Sequence, residues 1–258
     1  MPTATASGAR DVVEILGIPV DRITMPEAVA RIAKFAESGA PHIVVTADAS
    51  GIVISQSDAE FRNIVESADL VTPDSIGVLW ASRKYGKPIE GRVSGVELVD
   101  EVCRLSADKG YRVFLLGSAP GVADMAAERL RLRHPGCNIV GSRHGYFPPE
   151  SDEVVAAEVA QAKPDVLFVA MGIPRQEKFI KATQAIVRAP VAMGVGGSLD
   201  VFSGRVKRAP KLIQRLKLEW AWRFILNPRK ISKVRLLPSF VALVIRAPGG
   251  RSKRERGL

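Results

Sequence analysis

The feature that most constrains this chain is a set of short runs that are apolar almost residue by residue. HIVVT (42–46), YRVFLL (111–116) and DVLFVA (165–170) are the clearest. A strand with one wet face alternates polar and apolar residues, so a strand that does not alternate must be covered on both sides. Helix-length amphipathic segments separate these runs. The pattern implies an α/β, Rossmann-like, mostly parallel sheet flanked by helices.

Further elements fill in around those runs. Val12–Leu16, Asp69–Thr72, Asn138–Val140 and Val191–Val195 read as strands. Thr24-x-x-Glu27, with Pro26 in the first turn, is a capping box that opens a helix expected to stop near Gly39. Ser94-x-x-Glu97 opens another, ending near Gly110. Helices are also expected over Asp58–Ser67, Pro120–His134, Ser151–Ala162 and Arg175–Val187.

Charge divides the chain. Its net +10 comes from 37 Lys and Arg against 27 Asp and Glu, yet 16 of the basic residues lie from Arg205 onward, facing only Glu219 and Glu255. Residues 1–204 read as a catalytic α/β domain, 205–246 as a basic amphipathic helical appendage, and 247–258 as a disordered tail. Leu212, Leu216, Trp220 and Phe224 recur at helical spacing in that appendage. Such asymmetry points to an anionic partner: nucleic acid, anionic lipid or a diphosphate.

Other features set bounds. Cys103 and Cys137 are the only cysteines, with no CxxC or Cys/His cluster, which suits a reducing compartment and no zinc site. The first residues lack a signal-peptide core, and no run approaches the ~20 apolar residues of a membrane span. With a reducing compartment and no span, any membrane contact is expected to be peripheral and on the cytoplasmic face.

Ligands of parallel α/β sheets bind beyond the carboxyl ends of the strands. Polar or glycine-rich segments fall at those ends: Thr46-Ala47-Asp48, Thr72–Gly77, Gly117–Gly121, His144–Phe147, Met171–Lys178 and Gly194–Asp200. Asp74 could act as a general base toward a sugar hydroxyl, or Pro-Asp-Ser could simply close a turn. Gly117–Gly121 opens a helix, where amides can cradle a phosphate, or makes a tight strand–helix turn. Gly196 and Gly197 could bring backbone close to a nucleotide, with Asp200 accepting from ribose or base, or form an empty loop. Tyr146 could stack on a base or pack on its own domain. Arg92 could hold a phosphate or stay solvated.

No GxGxxG follows a strand and no GxxxxGK[ST] occurs, which disfavours dinucleotide oxidoreductases and P-loop enzymes. No Asp-x-Asp pair exists, and His42, His134 and His144 make no metal spacing. Chemistry without metal or other cofactor is expected.

The rim segments resemble the WecG/TagA/CpsF glycosyltransferase family. The resemblance is carried by VTPDSIGVLWAS (71–82), GRVSG (91–95), VFLLGSAPGVA (113–123), HGYF (144–147), PDVLFVAMGIPRQEKFI (164–180), GVGGSLDVFSGRVKRAP (194–210) and EWAWRFILNPRK (219–230). It covers about residues 12–235 in colinear order. It implies an inverting, metal-independent transferase moving N-acetylmannosamine or a related sugar from a UDP-sugar to a polyprenyl-diphosphate-linked sugar in bacterial envelope polysaccharide synthesis. Asp74 then matches the catalytic base and Thr46 a strand-end threonine near the reacting sugar. Gln176 and Arg92 match polar residues of the pocket, and Tyr146 and Asp200 the nucleoside-binding positions. Arg223 matches an arginine that closes over the diphosphate, a role Arg229, Lys230 or Lys233 could share. Asp48 departs from the family's usual Asn, at a sugar contact, and Ser75 from its usual Gly.

Two rival readings stay open at this stage. One is a nucleotide-dependent oxidoreductase; the other is a basic nucleic-acid-binding module, although the tail lacks a reader motif. The favoured reading has no nucleic-acid partner. It places the basic tail on an anionic membrane and is compatible with a homo-oligomer.

Overall fold

A hairpin of β1 (Val12–Ile15) and β2 (Ile18–Asp21) forms a two-stranded sheet of its own. The computed structural model describes residues 10–206 and 236–247. The main sheet is built from β3 (His42–Ala47), β4 (Leu70–Pro73), β5 (Val113–Gly117), β6 (Ile139–Arg143), β7 (Val166–Ala170) and β8 (Val191–Gly194). They lie in the order β4-β3-β8-β7-β5-β6, every neighbouring pair parallel. This is the expected α/β architecture.

Both faces of the sheet are buried, which is why its strands read as continuously apolar. Along β5, Val113 and Leu115 point into one core and Phe114 and Leu116 into the other. Helices α1 (Met25–Ser38), α5 (Gly95–Lys109), α6 (Val122–Arg133) and α9 (Ser198–Phe202) cover the first face. The second is covered by α2 (Ala49–Ile54), α3 (Ala59–Glu66), α4 (Ile76–Lys84), α7 (Asp152–Gln161) and α8 (Arg175–Val187).

The expected helix signals operate as local chemistry. Glu27 accepts from both the backbone N–H (2.8 Å) and the hydroxyl (2.7 Å) of Thr24, and Gly39 ends α1 in the left-handed region at φ 71°. Ser94 opens α5 and Gly110 closes it at φ 78°.

Where the sequence implies one strand, Val12–Leu16, the structure has a hairpin. Leu16 and Gly17 turn the chain with positive φ at both positions (53° and 85°). Leu-Gly carries none of the usual Asn-Gly signal, and a proline such as Pro19 is confined to edge strands. The hairpin covers the β4 edge: buried Asp21 accepts from the Val71 N–H at 2.7 Å and from Arg10 Nε and Arg31 at 3.0 Å.

Helices α2, α4 and α9 are not among the elements expected from the sequence. They are short, and each starts within or directly after one of the strand-end segments.

Helix α10 (Leu236–Arg246) falls in the segment expected as an appendage, yet it shares the body's core. Phe240 and Val244, one turn apart, are fully buried in the cluster that holds α2 and α4. The fit is close: a Cβ added to Gly77 of α4 would lie 3.3 Å from Phe240 Cε1. The expected helix from Leu212 to Phe224, residues 231–235 of the second basic segment and the tail from 248 lie outside the described residues.

Phe240→Ala should therefore destabilise the protein by about 3–5 kcal/mol, the usual cost of emptying a buried aromatic site. Urea denaturation followed by tryptophan fluorescence measures this; a loss below about 1 kcal/mol would mean that α10 contributes nothing to the core.

Candidate active site

Because all six strands run the same way, their carboxyl ends share one edge. The six segments singled out from sequence therefore lie along one rim, in the order Asp74, Thr46–Asp48, Gly194–Asp200, Met171–Lys178, Gly117–Gly121 and His144–Phe147.

Asp74 follows β4, and its N–H donates to the Ala47 carbonyl at 2.9 Å, which fixes it beside the end of β3. The register pairs Ala47 with Pro73, so Asp48 and Asp74 emerge from neighbouring strand ends. Asp48 caps α2, one carboxylate oxygen accepting from the Gly51 N–H at 2.7 Å. Ser75 caps α4, and its hydroxyl also accepts from the Ala49 N–H at 3.2 Å. Asp48 and Ser75, the two departures from the family pattern, are thus both helix caps.

Thr46 is buried. The β3–β8 ladder ends at Val44 and Met193, and the Thr46 hydroxyl continues it by donating to the Gly194 carbonyl at 3.0 Å. The start of α5 abuts this point: a Cβ on Gly95 would lie 3.4 Å from Thr46 Cγ2 and 3.6 Å from Ser198 Oγ. Arg92 lies just upstream, where the Val93 N–H donates to the Pro73 carbonyl at 2.9 Å. Its guanidinium stands 3.9 Å from Glu97 Oε1, with about a quarter of the side chain (27%) exposed. The reading from sequence did not connect the α5 start with Thr46, since 49 residues separate Gly95 from it.

Gln176 is completely buried, so it acts inside the wall rather than on the pocket surface. Its Oε1 accepts from Gly172 N (3.2 Å) and Gly196 N (3.0 Å), clamping together the loops after β7 and β8. Its Nε2 donates to buried Glu177 at 2.7 Å. Gly194 makes room for this pair: a Cβ there would lie 2.5 Å from Gln176 Nε2. The neighbouring motif residues bind the scaffold. Arg175 forms a two-bond ion pair with Asp152 and covers Phe147 and Phe179. Lys178 lies between Glu60 (2.8 Å) and Asp58 (2.9 Å), whose hydrogen bonds hold its proton more firmly than an ordinary lysine's.

Gly117 also has a packing reason. Its φ is 138°, and a Cβ would lie 2.4 Å from the Ala170 carbonyl oxygen. The Ser118 N–H donates to that same oxygen at 2.8 Å. The ring of Tyr146 is open to solvent (70% exposed), while its neighbour Phe147 packs edge-on against Phe179. Gly196 takes φ 54°, Gly197 precedes α9, and Asp200 is partly exposed within that helix. Arg223, Arg229, Lys230 and Lys233 lie outside the described residues.

The rim thus has a carboxylate end, at Asp74 and Asp48 beside Thr46, and an open aromatic end at Tyr146, with glycine backbone between them. That arrangement suits an extended ligand with a polar group to be deprotonated at one end and a planar ring at the other.

Gln176→Leu keeps volume but leaves the Gly172 and Gly196 amides unbonded. A loss of about 1–3 kcal/mol in unfolding free energy is expected, read from urea midpoints. An unchanged midpoint would show that the clamp does not hold the rim.

Comparison with known proteins places the rim in context. The model of the "Glycosyl transferase WecG/TagA/CpsF family" matches residues 13–254. The N-acetylglucosaminyldiphosphoundecaprenol N-acetyl-beta-D-mannosaminyltransferases of Staphylococcus aureus strains NCTC 8325 / PS 47 and COL are each 32% identical over 237 residues. Each alignment spans 91% of this chain and 92% of the relative.

Proposed function

The chain belongs to the WecG/TagA/CpsF family of glycosyltransferases, and from that premise we propose that it moves N-acetylmannosamine or a related sugar from a UDP-sugar onto a polyprenyl-diphosphate-linked sugar in cell-envelope polysaccharide synthesis. The observation that carries this reading is the placement of Asp74 beside the β3 strand end and Thr46, on the rim that ends in exposed Tyr146. The relatives' names motivate the acceptor, a sugar on an undecaprenyl diphosphate.

In this mechanism Asp74 takes the proton from the acceptor hydroxyl as its oxygen attacks the anomeric carbon. The bond from that carbon to UDP breaks on the opposite side, inverting configuration. Thr46 and Asp48 border the reacting sugar, and Tyr146 and Asp200 hold the nucleoside, with backbone at Gly117, Gly196 and Gly197 between them. Charge grows on the departing diphosphate and needs fixed positive groups. Arg92 stands on the rim, and Arg223 is proposed to close over the diphosphate, aided by Arg229, Lys230 or Lys233.

A lipid-linked acceptor would bring the reaction to a membrane surface. Among the described residues no helix is long and apolar enough to cross one. We propose peripheral attachment to the cytoplasmic face of the bacterial inner membrane through the basic residues from Arg205 onward, each contributing roughly 1 kcal/mol near an anionic surface. Salt-sensitive co-sedimentation with anionic vesicles tests this.

A screen of UDP-sugars with a short-chain lipid-diphosphate acceptor, watching UDP release, tests the function itself. No release with any donor would sink it. In that assay Asp74→Asn should lower turnover by about 10²–10⁴-fold with UDP affinity nearly unchanged; a near-normal rate would remove Asp74 from the role.

The chemistry is proposed to need no metal, in keeping with the missing Asp-x-Asp pair. Exhaustive chelation should leave the rate within a few-fold. A rate that collapsed with EDTA and returned with magnesium or manganese would overturn this.

A further inference from the structure

Cys103 and Cys137 take no part in the proposed transfer, yet the fold brings them together. Cys103 lies midway along α5, and Cys137 in the loop between α6 and β6. One turn beyond Cys103, the Ser106 hydroxyl accepts from the Asn138 N–H at 2.9 Å and donates to the Tyr111 carbonyl at 2.6 Å. Arg131 donates to the Ile139 carbonyl at 2.8 Å, and the His134 imidazole meets Asp100 of α5 at 2.8 Å. The loop is therefore tied to α5 on both sides of Cys137. Both thiols are free and buried in the same core, and Cys103 stands on α5 between Asp100 and Ser106, the two residues that hold His134 and Asn138 on either side of Cys137.

We propose that Cys103 and Cys137 are a modification site, closing into a reversible intramolecular disulfide in the folded protein when it meets a hydroperoxide.

The two sulfurs have different roles. Cys103 is completely enclosed, whereas Cys137 keeps a small opening to solvent (7%), so a small oxidant reaches Cys137 first. The Cys103 thiol beside it brings the Cys137 thiol down to about 7, helped by Ser106 and by the nearby His134 and Arg131. Cys103 goes the other way and keeps its proton. The Cys137 thiolate attacks the outer peroxide oxygen; the O–O bond breaks, leaving a sulfenic acid and releasing an alcohol, or water from hydrogen peroxide. Cys103 then attacks the Cys137 sulfur, the S–O bond breaks, and water leaves with the Cys103 proton. Two thiols are oxidised by two electrons and one hydroperoxide is reduced. The bond would join α5, whose first turn abuts Thr46, to the strand leading to Tyr146.

The test uses the native full-length chain. It is treated with near-stoichiometric hydrogen peroxide, blocked with N-ethylmaleimide and digested without reductant. Mass spectrometry is expected to find a Cys103–Cys137 cross-linked peptide, absent from Cys137→Ala and lost with dithiothreitol. Thermal unfolding of the oxidised chain should move up by several degrees and return on reduction, because the cross-link restricts the unfolded chain. Sulfinic acid on Cys137 without a cross-link, or a cross-link between chains, would overturn the proposal. So would a cross-link that forms only when denaturant is present during oxidation.

Discussion

Parallel pairing of six strands is the constraint on which everything else rests. Parallel neighbours cannot be joined by a tight turn, so the chain must cross over after each strand, and helices cover both faces. That single condition makes the strands apolar throughout, as in Val113–Gly117. It also delivers every strand's carboxyl end to one edge. Segments as distant in sequence as Thr46 and Gly194 become neighbours because β3 and β8 lie side by side.

The rim is then shaped by buried polar contacts rather than by its exposed residues. Gln176 bonds two loop amides from within the core, and Gly194 gives it the space to do so. Gly117 lets β5 approach the Ala170 carbonyl. These residues shape the rim from within the core. The same motif, PRQEK, also supplies Arg175 and Lys178 as ion-pair partners of α7 and of the α3 start, so much of its chemistry is scaffold.

Helix α10 links the basic end of the chain to the carboxylate end of the rim. Phe240 fits against α4 beside Gly77, and α4 begins one residue after Asp74–Ser75 is set in place. A segment whose composition suggests an appendage therefore also buttresses the two short helices capped by Asp48 and Ser75. Leu237 packs against the same cluster, while Val241 and Ile245 stay exposed.

The sequence by itself determined the sheet class, the long helices and the rim segments, because burial on both faces and capping chemistry leave local signatures. Thr24, Ser94, Gly39 and Gly110 mark helix ends wherever they occur with the right neighbours. It did not determine the β1–β2 hairpin, since Leu-Gly and Pro19 give no local turn signal, nor α2, α4 and α9, too short for a helical period to emerge. Only the tertiary structure decided that Gln176 works inside the wall, that Gly95 stands against Thr46, and that Phe240 belongs to the core. Each depends on contacts between residues far apart in the chain, and no local pattern encodes which distant partner fills a given space.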